Sequence, residues 1–183
     1  MPTPTSPSPP AAQGGLTAKL LVRTAIYSAI VPGAVTILGP YVNLWAWGRG
    51  HDLPVGALGV LGVPAILIGV AIYLWCAWNF VNTGRGTPNI VSGPTVLVVR
   101  GLYRYVRNPM YLATLLILIG EALLLHEGIL LVYAAECLIF LLLCVHFFEE
   151  PALRRRFGAA YERYCETTPR WLPWPGLGLR PGL

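Results

Sequence analysis

Four long apolar stretches constrain this chain more than any other feature. They run from Thr24 to Trp47, Val55 to Asn82, Asn108 to Leu125 and Gly128 to Phe148. The first two carry no charged side chain; the third holds Glu121 and the fourth Glu136. At about 1.5 Å of rise per residue, each reaches across most or all of a hydrocarbon core of about 30 Å. Charge is scarce enough to agree: 11% of the 183 residues are charged, against roughly 25% in a soluble domain. The expected fold is all-α, a polytopic membrane bundle of four transmembrane helices.

The connections refine this picture. Residues 1–15 are rich in Pro, Ser, Thr, Ala and Gly, carry no charge and cannot bury enough apolar surface to fold. Residues 16–82 then supply two spans, with kinks expected at Pro32, Pro40 and Pro64. Trp45 and Trp47 suit an interfacial belt. Residues 83–183 form a second region. Gly84, Gly86, Pro88, Gly93 and Pro94 mark a loop, and the segment Gly101 to Arg107 suits a membrane boundary. Only His126 and Glu127 separate the third and fourth stretches, which predicts a tight antiparallel hairpin. Glu149 to Thr167 reads as a C-terminal helix on the cytoplasmic side, with Phe157, Tyr161 and Tyr164 along one face.

Four spans sort the cations sharply. Lys19, Arg23, Arg85, Arg100, Arg104, Arg107, Arg154, Arg155, Arg156, Arg163, Arg170 and Arg180 fall on one side, and Arg49 alone on the other. The positive-inside rule makes the rich side cytoplasmic, with both termini on it. The formal net charge of +5 forms no basic stripe on a polar helix. The lipid bilayer, with its anionic headgroups, or an anionic ligand is therefore expected as partner rather than nucleic acid. Cys76, Cys137, Cys144 and Cys165 show no C-x-x-C spacing, and three of them lie in apolar runs, so no disulfide framework is expected.

Two clusters reach the arginine-rich face. One is Arg104-Tyr105-Val106-Arg107-Asn108-Pro109-Met110-Tyr111, where Pro109 suits a first helical turn. Free backbone N–H groups there, together with guanidiniums, suit a carboxylate or phosphate; a snorkelling positive flank explains the same residues without a ligand. The other cluster is His146, Glu149 and Glu150, at i, i+3 and i+4. Two adjacent carboxylates at a membrane boundary are costly unless paired, hydrated or used. An ion pair from Glu150 to Arg154 is the structural explanation. No second His/Glu pair completes a metal set, so no metal is expected. Glu121 and Glu136 should be protonated, paired or functional where they stand.

The runs LVVRGLYRYVRNPMYLATLLILIG and FFEEPALRRRFGAAYERYCETTPRWLP, separated by one span, resemble the membrane methyltransferases related to isoprenylcysteine carboxyl methyltransferase and phosphatidylethanolamine N-methyltransferase. The resemblance covers about half of the chain. It implies that residues 83–183 are a catalytic region binding S-adenosylmethionine as methyl donor on the cytoplasmic side. Arg107, Asn108 and Tyr111 would lie near the cofactor's methionine end. Glu149 and Glu150 match the family's double glutamate, with His146 beside them, and Tyr161 and Arg170 match parts of the closing segment. Glu150 and Arg154 are the expected catalytic residues. The family's Arg-His-Pro-x-Tyr reads Arg-Asn-Pro-Met-Tyr here. Asn108 can donate a hydrogen bond as histidine does, but it cannot act as a base.

The implied reaction is methyl transfer to a hydrophobic or lipid-like acceptor, lipidated or small, with carboxylate O-methylation favoured. Membrane sterol and enone reductases share Gly-Leu-Tyr, Arg-x-Pro-x-Tyr and Tyr-x-x-Tyr-Cys with this chain and would use NADPH; the Glu149-Glu150 pair argues for the methyltransferase. A scaffold that has lost its activity is the third possibility, and Asn108 is the residue that permits it.

Overall fold

In the computed structural model, residues 26, 30–48, 52–79 and 96–172 are described. They form an all-helical structure, and no strand occurs among them. The N-terminal tail, the loop around Arg85 and the last residues, including Arg180, lie outside them.

Helix α1, Gly39–Trp47, continues from a π-helical turn at Ala34–Leu38, which itself follows helical residues 30–33. The expected proline irregularity takes this form. Pro40 has no N–H for the carbonyl one turn back, and a widened turn absorbs the mismatch. The Thr36 hydroxyl donates to the Pro32 carbonyl at 2.8 Å, keeping that group satisfied. Helix α2, Gly62–Asn79, is preceded by a 3-10 stretch at Gly56–Leu61. Pro64 therefore sits in the first turn of α2, where a missing N–H costs little. The irregularity is the 3-10 stretch just ahead of it, at the start of the apolar segment Gly56–Asn79.

Helix α3, Pro109–Leu125, packs most extensively against α2. The seam is made of small residues. A Cβ on Gly120 would lie 2.9 Å from the Gly62 carbonyl oxygen, and one on Gly69 2.9 Å from that of Ala113. Lipid provides no hydrophobic drive between helices, so close backbone approach supplies the packing instead. The chain then turns through His126, the one described non-glycine residue at positive φ, 59°. The tight hairpin expected from the two-residue separation is thus present, and α4, Gly128–Cys144, returns alongside α3.

The fourth apolar stretch and the helix after it are continuous at Glu149. From α4 the helix runs through a π turn at Val145–Glu149 into α5, Glu150–Phe157. The break comes at Gly158, with φ of 50°, before α6, Ala159–Thr167. Glycine takes that backbone geometry at little cost.

Two helices are long and apolar enough to cross a membrane, Gly56–Asn79 and Gly128–Phe157; Pro109–Leu125 is apolar but shorter. Their outward surface is apolar: Leu67, Trp75, Trp78, Ile139 and Phe140 are all exposed. An apolar surface this extensive on a chain this small marks contact with lipid. Trp45 and Trp47 close α1, and Trp75 and Trp78 lie near the end of α2, all exposed, as headgroup-level anchors would be.

Candidate active site

Where the chain enters α3, it meets the end of the α4–α5 helix and the segment after α6. Pro109 takes the first helical position, and Asn108 precedes it with an extended φ of −124°. The Asn108 side chain makes no capping bond; its Nδ2 donates to the Arg170 carbonyl at 3.1 Å. The Arg107 backbone N–H donates to the Pro169 carbonyl at 2.9 Å. Two adjacent residues at the start of α3 thereby fasten the C-terminal segment across the site.

At the centre is Glu150, 5% exposed. Arg107 Nη1 donates to its Oε1 at 3.0 Å. Arg170 grips it in bidentate fashion, Nε to Oε1 at 2.8 Å and Nη2 to Oε2 at 2.7 Å. The same Arg107 Nη1 lies 2.8 Å from Cys165 Sγ, and the guanidinium also bonds the Tyr161 hydroxyl. Arg107 Nε is buried and has no hydrogen-bond partner among the described residues. A buried donor of this kind costs about 1–3 kcal/mol until an acceptor reaches it.

Glu149, next in sequence, is placed differently. Its Oε2 accepts from the Tyr111 hydroxyl at 2.8 Å, and it has no cationic partner among the described residues. Tyr111 also faces Trp171, ring centroids 6.5 Å apart. Behind this wall, the Tyr164 hydroxyl donates to the Tyr103 carbonyl at 2.6 Å and locks α6 onto the segment before α3. Burial pushes the Tyr103, Tyr161 and Tyr164 phenols above their usual range. Neighbouring Cys165 and Glu150 add to the rise at Tyr161, and the Arg107 charge opposes it. All three remain protonated donors at neutral pH.

A cavity of about 630 Å³ opens on these groups. Its polar wall holds Arg107, Asn108, Tyr111, Glu149, Glu150 and Tyr161. Its apolar arm runs between the N-terminal helix, at Val31 and Val35, and α4, at Cys137, Phe140 and Cys144. Arg170 reaches the site through Glu150 and Asn108. His146 and Arg154 are not brought in. The π turn rotates His146 outward, where it is exposed with its ring edge-on to Phe147 at 4.7 Å. Arg154 is exposed and pairs with Glu162 on α6, not with Glu150.

Two residues that hold the site together carry no site signal in the sequence. Tyr103 and Tyr164 look like ordinary aromatics until their long-range bond is seen. Glu136 lies on the cavity wall beside Cys137 and Tyr133, whose hydroxyl donates to the Val35 carbonyl at 3.0 Å. Glu121, on α3, is not among the cavity-lining residues, and its buried Oε2 has no hydrogen-bond partner among the described residues.

A family model described as phospholipid methyltransferase matches residues 58–160. The match takes in α2 through α5 and every cavity residue from Tyr73 to Arg156. Comparison with curated proteins and with solved structures gave no match. The match spans more than half of the chain and includes both clusters that build the site, so the chain belongs to the phospholipid methyltransferase family.

Proposed function

We propose that the chain uses S-adenosylmethionine to methylate a lipid-like acceptor entering from the bilayer, at the membrane face that carries its arginines. The observation that carries this is a cavity that joins the Arg107–Glu149 wall to an apolar arm between the segment before α1, at Val31 and Val35, and α4. Its volume lies within the range of about 300–1,000 Å³ usual for ligand pockets. The four-span arrangement with both termini cytoplasmic belongs to the same proposal and rests on the distribution of cations.

The residues present fit the cofactor. The buried Arg107 Nε needs an acceptor, and a carboxylate is the strongest acceptor for a guanidinium. Glu149 offers a carboxylate to an ammonium or a hydroxyl. Asn108 and Arg170 hold the strap that closes this end. When bound, S-adenosylmethionine supplies a methyl group on a positively charged sulfur and is left as a neutral thioether. The protein then has to orient the acceptor, exclude water and manage one proton.

Between the two glutamates, Glu149 is the better proton acceptor. Glu150 is already engaged by two guanidiniums, whereas Glu149 accepts from the Tyr111 hydroxyl and has no cationic partner among the described residues. Of the two, Glu149 is therefore the proposed base, while Glu150, expected to be catalytic, is proposed to position Arg107 and Arg170. For an amine acceptor, the Glu149 carboxylate would take the proton that the nitrogen gives up on methylation. Carboxylate O-methylation, favoured by the resemblance, would set a second anion beside Glu149 and has the poorer electrostatics.

The test is purified protein in detergent with labelled methyl donor and a lipid extract, followed by mass analysis of labelled products. Thermal shift with S-adenosylhomocysteine and with NADPH runs alongside it. Stabilisation by S-adenosylhomocysteine and a labelled lipid are expected. Stabilisation by NADPH alone would replace this function with that of a membrane reductase.

A further inference from the structure

The apolar arm of the cavity ends on a carboxylate that the methyl transfer does not use. Glu136 lines it, on the same face of α4 as Cys137, Phe140, Leu141 and Cys144. Their spacing of i, i+1, i+4, i+5 and i+8 makes one stripe, which leads on to Glu149. At about 1.5 Å of rise per residue, Glu136 stands about 20 Å along the helix from Glu149. It lies more than two turns inside the span-length helix Gly128–Phe157. A carboxylate at that depth is costly unless it is paired or used. Residues 24–48, 55–82 and 108–153 contain no lysine or arginine, so the helices around Glu136 offer it no cation. Among the described residues it makes no hydrogen bond or ion pair.

The polar neighbours of Glu136 are already committed. In the π turn before α1, the Gly39 N–H bonds the Ala34 carbonyl, and Pro40 has no N–H. Neither the α-helical nor the π-helical donor is therefore available to the Val35 carbonyl. The Tyr133 hydroxyl fills that place at 3.0 Å, so its proton is not free for Glu136. Cys137 bonds the same hydroxyl. Glu121 stands near Tyr133 as well, but it brings a second carboxylate rather than a cation. The arm is thus apolar along its length at Val31, Pro32, Phe140 and Leu141, with one uncommitted acceptor at its far end.

We infer that Glu136 is a second recognition point in the cavity, one that holds a hydrogen-bond-donating group on the acceptor's apolar body, about 20 Å from the end that is methylated. The inference rests on the methyltransferase function proposed above. A plain hydrocarbon tail would cover the Glu136 carboxylate and leave it without a partner, which burial penalises. A hydroxyl at that point satisfies it, whether the carboxyl is charged or protonated, because either form keeps an acceptor oxygen. The acceptor chemistry that fits is therefore a long apolar chain that is polar at both ends. Glu136 binds and selects that chain; it stands too far from Glu149 to take part in proton transfer.

The test compares full-length wild type, Glu136→Leu and Glu136→Gln in detergent. Binding is read by native mass spectrometry with two probes, hexadecylamine and aminohexadecanol, which differ only by a terminal hydroxyl. Wild type should bind aminohexadecanol about tenfold more tightly than hexadecylamine. Glu136→Leu should abolish or reverse that preference, because an apolar end wall suits a terminal methyl group. Glu136→Gln should keep part of it, since the amide oxygen still accepts a hydrogen bond. Thermal stabilisation by S-adenosylhomocysteine should be the same in all three proteins. Equal binding of the two probes by wild type, or a preference that survives in Glu136→Leu, would overturn the assignment. Loss of both probes and of S-adenosylhomocysteine stabilisation in both variants would also overturn it, marking Glu136 as a structural residue. Absence of stabilisation by S-adenosylhomocysteine in wild type, with the Glu136-dependent preference intact, would sink the methyltransferase function and leave the second recognition point supported.

Discussion

The two ends of the α3–α4 hairpin are both polar, yet they are built on opposite principles. At the closed end, His126 and Glu127 turn the chain within a few residues. Leu53 N–H donates to the His126 carbonyl at 2.7 Å, and the His126 Nε2 meets the Gly56 carbonyl at 3.0 Å. Apart from one short backbone bridge between Asp52 and Glu127, the contacts of this end serve the hairpin and the loop beside it. At the open end, Arg107, Glu150 and Arg170 meet from positions 20 to 43 residues apart and face a cavity. A local polar turn satisfies its own backbone. The open end instead gathers its charges from distant segments around a cavity.

The largest effect expected from breaking this contrast is at Glu150. Glu150→Ala leaves the mostly buried Arg107 without its carboxylate and frees Arg170 from the strap. Removing one partner of a buried pair costs about 3–5 kcal/mol. Methyl transfer to a lipid extract should fall to background, and the melting temperature in detergent should drop. Retention of wild-type activity would show that the reaction does not depend on this end of the hairpin.

Next comes Glu149→Gln. The amide keeps a hydrogen bond with Tyr111 and the size of the side chain, so stability should change little. Loss of a positioned base typically costs 10²–10⁴-fold in rate. A fall of about 10²-fold or more is expected, larger for an amine than for a carboxylate acceptor. Equal effects on both acceptors would assign Glu149 to the methyl donor instead.

Much of this architecture is legible in the sequence, for identifiable reasons. Long apolar runs and the two-residue separation at His126 and Glu127 carry the helices and the hairpin, because helical rise and turn length are local properties. The pairing of the Arg107 and Glu149-Glu150 clusters at one face follows from chain direction in an antiparallel hairpin. Spacing alone could not assign partners. Arg154 stands four residues from Glu150 and could have paired with it along the helix, yet it bonds Glu162 because the turn at Gly158 folds α6 back. His146 was drawn toward the glutamates by ideal helical spacing, and the π turn removes it. The two glutamates look alike in sequence; their separate fates depend on Arg170 and Tyr111, contacts made only by tertiary folding.

A third test moves to the middle of the hairpin. Gly120→Val places a branched side chain where even a Cβ would lie 2.9 Å from the Gly62 carbonyl oxygen. Backbone cannot yield as a flexible side chain does, and overpacking of this kind costs about 1–3 kcal/mol. Thermal unfolding in detergent should move down, while the affinity of the surviving folded protein for S-adenosylhomocysteine should hold. A loss of cofactor affinity matching the loss of stability would mean that the α2–α3 seam and the site form one unit.

The smallest effect belongs at the closed end. His126 holds a left-handed backbone at φ of 59°, and its ring bonds the Gly56 carbonyl. Those two features act in opposite directions when the residue is replaced. His126→Gly relieves a backbone cost of about 1–2 kcal/mol but gives up a ring hydrogen bond worth about 0.5–1.5 kcal/mol. Its stability should remain within about 1 kcal/mol of wild type. His126→Ala loses the bond and keeps the strained backbone, so it should be the less stable of the two. Both variants should methylate lipid at the wild-type rate, because the turn contributes no group to the cavity wall. If either slowed the reaction as much as Glu149→Gln does, the closed end would have to act on the open end through α3 and α4. The division between a self-contained turn and a ligand-directed site would then be wrong.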